Sequence, residues 1–177
     1  IVLVTGVQTC ALPILIFDGA MGTYYASIKE NPLSKCELAN IYDRNTILNI
    51  HKEYIDAGCK AIKTNTFGAN RISLESDFNR VKDVITSGYE IAMEATKDTD
   101  VLVFADIGPI PFLETLNLWE AYKEIVDLFL ELGLTHFIFE TFSSDEYLPQ
   151  ISKYIKEKNS KAYILMELAV SPDRKST

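Results

Sequence analysis

Residues 101–109 read VLVFADIGP. An uncharged apolar run that meets Asp106 suits a strand buried on both faces and ending on a carboxylate. Strands of that kind belong to parallel sheets, whose covering helices take both faces out of water. The same rhythm repeats on either side. Leu15-Ile16-Phe17 ends at Asp18-Gly19, and the strand Ala61-Ile62-Lys63-Thr64 ends in the polar stretch Thr64-Asn65-Thr66. Phe137-Ile138-Phe139 meets Glu140, and the run 163–166 meets Glu167. Between these runs, apolar residues recur at helical spacing: Ile47, Ile50, Tyr54 and Ile55; Phe78, Val81, Ile85, Ala92 and Ala95; Tyr122, Ile125, Val126 and Phe129; Leu148, Ile151, Tyr154 and Ile155. Gly58 and Gly133 supply helix stops, and Ser143 with Glu146 reads as a capping box for the last helix. Alternating strands and helices predict an α/β fold with a parallel sheet. Two architectures satisfy that pattern: an open doubly wound sheet, or a (β/α)8 barrel cut short.

The chain has 177 residues, 17 basic and 25 acidic, for a formal charge of −8. That balance lacks the basic footprint nucleic-acid backbones require, so no nucleic-acid partner is expected. No apolar run reaches the ~18 residues that span a bilayer, so a soluble protein without a membrane partner is expected. Cysteines at 10, 36 and 59 form neither an even set nor a CxxC pair, which fits a reducing, cytoplasmic setting.

The two ends are related through their codons. Cys10-Ala11-Leu12-Pro13-Ile14 can be written TGT GCT CTT CCG ATC, whose reverse complement translates to Asp-Arg-Lys-Ser-Thr, the sequence of Asp173 to Thr177. Both peptides resemble translations of a sequencing-library adapter read in opposite directions. Residues 1–14 and 173–177 are therefore expected to be non-native, and residues 15–172 to be part of a longer barrel.

In parallel α/β proteins chemistry gathers at the carboxyl ends of strands. Asp18, Thr66, Asp106, Glu140 and Glu167 all fall at such ends. Capping and turn formation are the ordinary work of Asp and Thr there. Asp18 and Glu140 are different, because each follows directly on large apolar residues and needs a partner, which a ligand ammonium would supply. Gly19 and Gly22 in DGAMGT let backbone N–H groups come close to a ligand, but the spacing is not that of a nucleotide loop. Cys36, Cys59, His51 and His136 are scattered between a loop, a helix and the amino edge of the sheet, so no metal ligand is expected among them.

Taken together, DGAMGT (18–23), ELAN (37–40), IHKEYIDAG (50–58), TNTFGANRISL (64–74), DIGP (106–109) and FIFET (137–141) resemble the homocysteine S-methyltransferase domain. The likeness is nearest to the type at the amino end of cobalamin-dependent methionine synthases and of bifunctional enzymes fused to a methylenetetrahydrofolate reductase. It implies a (β/α)8 TIM barrel, here truncated after about the fifth strand. It also implies methyl transfer to homocysteine, bound as a thiolate by a zinc ion on three cysteines. Methylcobalamin or methyltetrahydrofolate is the implied methyl donor, with cobalamin presented by another domain. Carried over by position, Asp18, Gly19 and Ala20 form the first wall of the homocysteine pocket, Glu140 takes the amino group, and Thr66 and Phe67 shape the mouth. No role follows for Asp106 or Glu167.

The family's zinc cysteines follow the sixth and eighth strands, and neither Cys36 nor Cys59 matches those positions. Zinc thus belongs to the full-length parent, and the chain alone is expected to be an inactive half barrel or a binding module. An unrelated aldolase or isomerase would want a lysine at a strand end. Lys63 is the one candidate, on a strand too short for its pattern to reveal its facing.

Overall fold

The computed structural model describes residues 14–170, so the adapter-like segments lie outside the described residues apart from Ile14. The chain order is α1 (Met21–Ile28), a short 3-10 turn (Cys36–Leu38), α2 (Ala39–Tyr42), α3 (Arg44–Asp56), β1 (Ala61–Lys63), α4 (Phe78–Ala95), β2 (Leu102–Ile107), α5 (Leu118–Glu131), β3 (His136–Phe142), α6 (Leu148–Lys158) and β4 (Tyr163–Leu168). All strand pairs are parallel, and the sheet order is β1-β2-β3-β4. Phe17 bridges Ala61 on the free side of β1, which continues the same order. A doubly wound sheet reverses direction at a switch point, whereas here each strand lies beside the one before it. The described part of the chain therefore winds as a barrel does.

Strand alternation separates two cores. Phe17, Ala61, Phe104, Ile138 and Leu165 form one cluster on the inward face. Ile62, Val103, Ala105, Phe137 and Phe139 point the other way and join the apolar faces of α3, α4, α5 and α6. Helices on only one face, with side chains filling the other, is barrel layering. The helices end where glycine permits the left-handed turn: Gly58 after α3 has φ 100° and Gly133 after α5 has φ 86°. At their starts, Asp77 caps α4 by accepting from the Arg80 N–H at 3.0 Å, and Asn117 does the same for α5.

Two expectations are corrected. Leu15-Ile16-Phe17 does not form a full strand: it makes a single bridge, and Leu15 and Ile16 are exposed, because only β1 flanks it among the described residues. The Ser143–Glu146 capping box is not made. α6 begins at Leu148 behind Tyr147 with no side-chain cap, and Pro149, whose fixed φ suits a first helical turn, sets the start. Glu167 lies at the carboxyl end of β4, one residue before its last, and is exposed. No helix among the described residues is long and apolar enough to cross a membrane.

The loop 64–70 (TNTFGAN) leaves β1 and is held by the ELAN segment. The Glu37 carboxylate accepts from the Gly68 N–H at 2.7 Å. Buried Asn40 donates to the carbonyls of Asn65 (2.8 Å) and Val84 (3.1 Å) and accepts from the Asn65 amide at 2.8 Å. Gly88 on α4 makes room for this clamp, because a Cβ there would lie 2.6 Å from Asn40 Nδ2. Replacing Asn40 strands three buried partners, each costing about 1–3 kcal/mol if left unpaired. Asn40→Ala is expected to destabilise the fold by roughly 2–4 kcal/mol, measured as a lowered urea midpoint.

His51 on α3 is fully buried with neither ring nitrogen partnered, and burial pushes its pKa down to about 4. The folded state then binds fewer protons than the unfolded chain between the ordinary value of 6.5 and about 4. Stability attributable to His51 is present above pH 6.5 and is lost as the pH falls toward 4, by up to roughly 3 kcal/mol. The difference in unfolding free energy between wild type and His51→Leu should therefore change across this range. A difference that stays constant contradicts the assignment.

Candidate functional site

At the carboxyl ends of the strands lies a cleft of about 330 Å³, at the lower end of the size range of small-molecule pockets. Asp18, Lys63, Asp106 and Glu140 line it, and Phe67 and the first turn of α1 form its sides. Its floor is built by pairs of hydroxyls. Past the end of β1, Thr64 N–H still donates to the Phe104 carbonyl. Thr64 Oγ1 then accepts from the Asp106 N–H at 3.0 Å, and Thr66 Oγ1 donates to the Asp106 carbonyl at 2.8 Å. The two threonine side chains thus take over the ladder where the β1 backbone turns away, and they fix the backbone of Asp106.

Asp18 follows the Phe17 bridge, its N–H bonded to the Ala61 carbonyl at 2.9 Å. Its Oδ2 accepts from the Lys63 N–H at 3.1 Å, while its Oδ1 is buried without a partner. Burial raises the Asp18 pKa to about 6, against the lowering effect of the Lys63 N–H and ammonium. Glu140 is placed by an irregularity near the end of β3. The register with β4 shifts between Phe139 and Phe142, and Thr141 takes a left-handed φ of 63°, costly for a β-branched residue. Glu140 Oε2 accepts from Lys63 Nζ at 2.8 Å, both side chains being largely covered. Burial works against the Lys63 ammonium, but Glu140 and the neighbouring carboxyls outweigh it and hold the pKa above its ordinary value. Asp106 is buried, and its Oδ1 has no partner. Burial, then the charge of Glu140, keeps its carboxyl well above the usual range despite Lys63 nearby.

The cleft therefore sets four carboxyls, those of Asp18, Glu37, Asp106 and Glu140, around one ammonium. Beside them, α1 starts at Met21 behind Ala20 with no side-chain cap, so its first N–H groups face the cleft wall unshared by a side chain. Gly19 is required at this wall, because a Cβ would lie 2.7 Å from the Tyr54 hydroxyl. A cluster of carboxylates next to a helix N-terminus is complementary to a zwitterion, with the ammonium on the acids and the carboxylate on the N–H groups.

Of the candidate residues, Asp18, Gly19, Ala20, Phe67 and Glu140 border this one cleft. Thr66 lies beneath it, buried, with its hydroxyl spent on Asp106 and Thr64. Two members were not assigned from sequence. Lys63 turns inward, as does Asp106 two residues beyond Phe104, and the undiluted run 101–105 gives that facing no signal. Among the described residues no group of three His, Cys, Asp and Glu side chains is placed to hold a metal. Cys36 borders the cleft with its thiol pushed up to about 12 by burial, and Cys59 is buried just ahead of β1. These residues do not form the three-thiolate zinc site that the resemblance implies.

Comparison with known proteins agrees with this geometry. Structurally, the chain is similar to the metallated homocysteine methyltransferase MmuM of Escherichia coli, with a TM-score of 0.75 at 17% identity, covering 89% of this chain and 63% of that one. The apo form of the same protein gives 0.71 at 19% identity, covering 92% and 64%. At these identities the likeness shows the fold, a TIM barrel of which this chain is part. In sequence, the methionine synthase of Mycobacterium leprae (strain TN) is 30% identical over 144 residues, which is 72% of this chain and 12% of that protein. The methionine synthase of Mycobacterium tuberculosis (strain ATCC 25618 / H37Rv) is 31% identical over 138 residues, 68% of this chain and 11% of its own length. The chain thus spans about an eighth of the methionine synthases it matches. The homocysteine S-methyltransferase profile matches residues 15–176. The chain belongs to the homocysteine S-methyltransferase family, whose members are methyltransferases.

Proposed function

We propose that the cleft holds the amino-acid end of homocysteine in an enzyme that methylates the homocysteine thiol to make methionine. The observation that carries this reading is the convergence of Asp18 and Glu140 beside the uncapped start of α1. In this reading Glu140, with Asp18, receives the substrate ammonium, and the N–H groups behind Gly19 and Ala20 receive its carboxylate. Phe67, partly exposed on the loop after β1, covers the apolar stem at the mouth. Thr66 acts through Asp106 as a positioning residue, since its hydroxyl is held below the floor.

What the described residues contribute is binding and orientation, which makes the reaction effectively unimolecular. Thiol activation belongs to a zinc ion whose ligands lie elsewhere in the parent enzyme. The methyl donor, methylcobalamin or methyltetrahydrofolate, approaches from the open side of the cleft, cobalamin on another domain. The described half alone is then a substrate-holding module, not a catalyst.

Titration calorimetry with L-methionine tests the reading, because methionine carries the same amino-acid end. Asp18→Asn and Glu140→Gln should each weaken binding roughly ten- to a hundredfold, the loss of one charge-assisted hydrogen bond. Affinity should also be level above about pH 6 and fall below it, as Asp18 takes up the proton that opposes an incoming ammonium. Binding that ignores both substitutions would place the amino acid elsewhere.

A further inference from the structure

Lys63 poses a problem that the substrate reading does not solve. Its ammonium already occupies Glu140 at 2.8 Å, the group proposed to take the substrate's ammonium. Two cations cannot share that carboxylate at close range without strong repulsion in a partly buried site. The cleft contains one unused acid. Asp106 Oδ1 is buried, has no partner, and lines the same cavity.

Register places it within reach. Lys63 on β1 pairs with Phe104 on β2, and Asp106 lies two residues further along, on the same inward face. Diagonal neighbours of that kind are about 7–8 Å apart, which the flexible stem of lysine spans. Exposure sets the order of engagement. Glu140, 22% exposed, can be reached by a ligand, whereas Asp106, 6% exposed, can be reached only from within the site.

We infer that Lys63 is a mobile counterion that holds Glu140 until an α-amino acid arrives, then passes to Asp106 as the ligand ammonium takes its place. This rests on the proposed amino-acid site and adds a positioning residue to it. The exchange has a proton balance. Burial, then the like charges of Glu140, Asp18 and Glu37 against Lys63 alone, raise the proton affinity of Asp106. Once the Lys63 ammonium pairs with it directly, the carboxyl ionises and its proton leaves to solvent. A thiol would add its own proton to the count, so the test uses L-methionine.

Calorimetry on the complete enzyme carrying this chain, at pH 7 in two buffers of different ionisation enthalpy, counts the protons released. Wild type should release clearly more than the roughly one tenth of a proton per methionine that Asp18 supplies at this pH. Asp106→Asn should still bind methionine but release no more than that tenth. Lys63→Met should likewise lose the release, because Asp106 then has no ammonium to pair with. Release that survives Asp106→Asn overturns the inference. So does wild-type binding with no more than a tenth of a proton. Release undiminished in Lys63→Met also overturns it. Failure of wild type to bind methionine at all overturns the amino-acid site itself, and the exchange with it.

Discussion

Charge balance around a single ammonium governs this half of the barrel. Asp18, Asp106 and Glu140 project into one partly buried cleft, and Lys63 is the one cation among them. Three ionised carboxylates at such a place would repel one another strongly, since low-dielectric surroundings raise the cost of every unpaired charge. The structure answers by pairing one acid with Lys63 and lifting the proton affinity of the other two. A site so poised has a standing demand for one more cation. On the proposed reading, the ammonium of an amino-acid substrate meets that demand.

The geometry survives because the backbone around it is pinned on several sides. Thr64 and Thr66 extend the β1–β2 ladder with their hydroxyls and fix the backbone of Asp106. The ELAN segment holds the following loop through Glu37 and Asn40, which also ties that loop to α4. Gly108 closes the opposite side: its N–H donates to the Phe67 carbonyl, and a Cβ there would lie 2.7 Å from that same oxygen. Short motifs widely separated in sequence thereby become one rigid wall. Their spacing along the chain is the imprint of contacts between loops.

Much of this was legible beforehand, for identifiable reasons. Strands such as 102–107 read clearly because burial on both faces strips them of charge, and α4 because its apolar stripe runs unbroken from Phe78 to Ala95. Asp18 and Glu140 were visible as carboxylates following directly on apolar runs. What failed depended on neighbours or on parity. The 15–17 run pairs on one side only and shrinks to a bridge. Pro149 overrode a plausible capping box. Lys63 lies on a three-residue strand, too short for alternation to reveal which way it faces, and Asp106 sits in a strand where every neighbour is apolar. The two residues that complete the charge balance were therefore the least readable.

Met166, Leu168 and Val170, on and after β4, are exposed at the edge of the described sheet. On the proposed reading, the described strands serve the amino-acid end of the substrate, and the thiol is served by chemistry beyond them. A crystal structure of the complete enzyme with L-methionine would test this division most directly. The account predicts the ligand ammonium between Asp18 and Glu140, with its carboxylate against the first turn of α1 and Lys63 turned to Asp106. A ligand bound elsewhere, with the Lys63–Glu140 pair undisturbed, would contradict it.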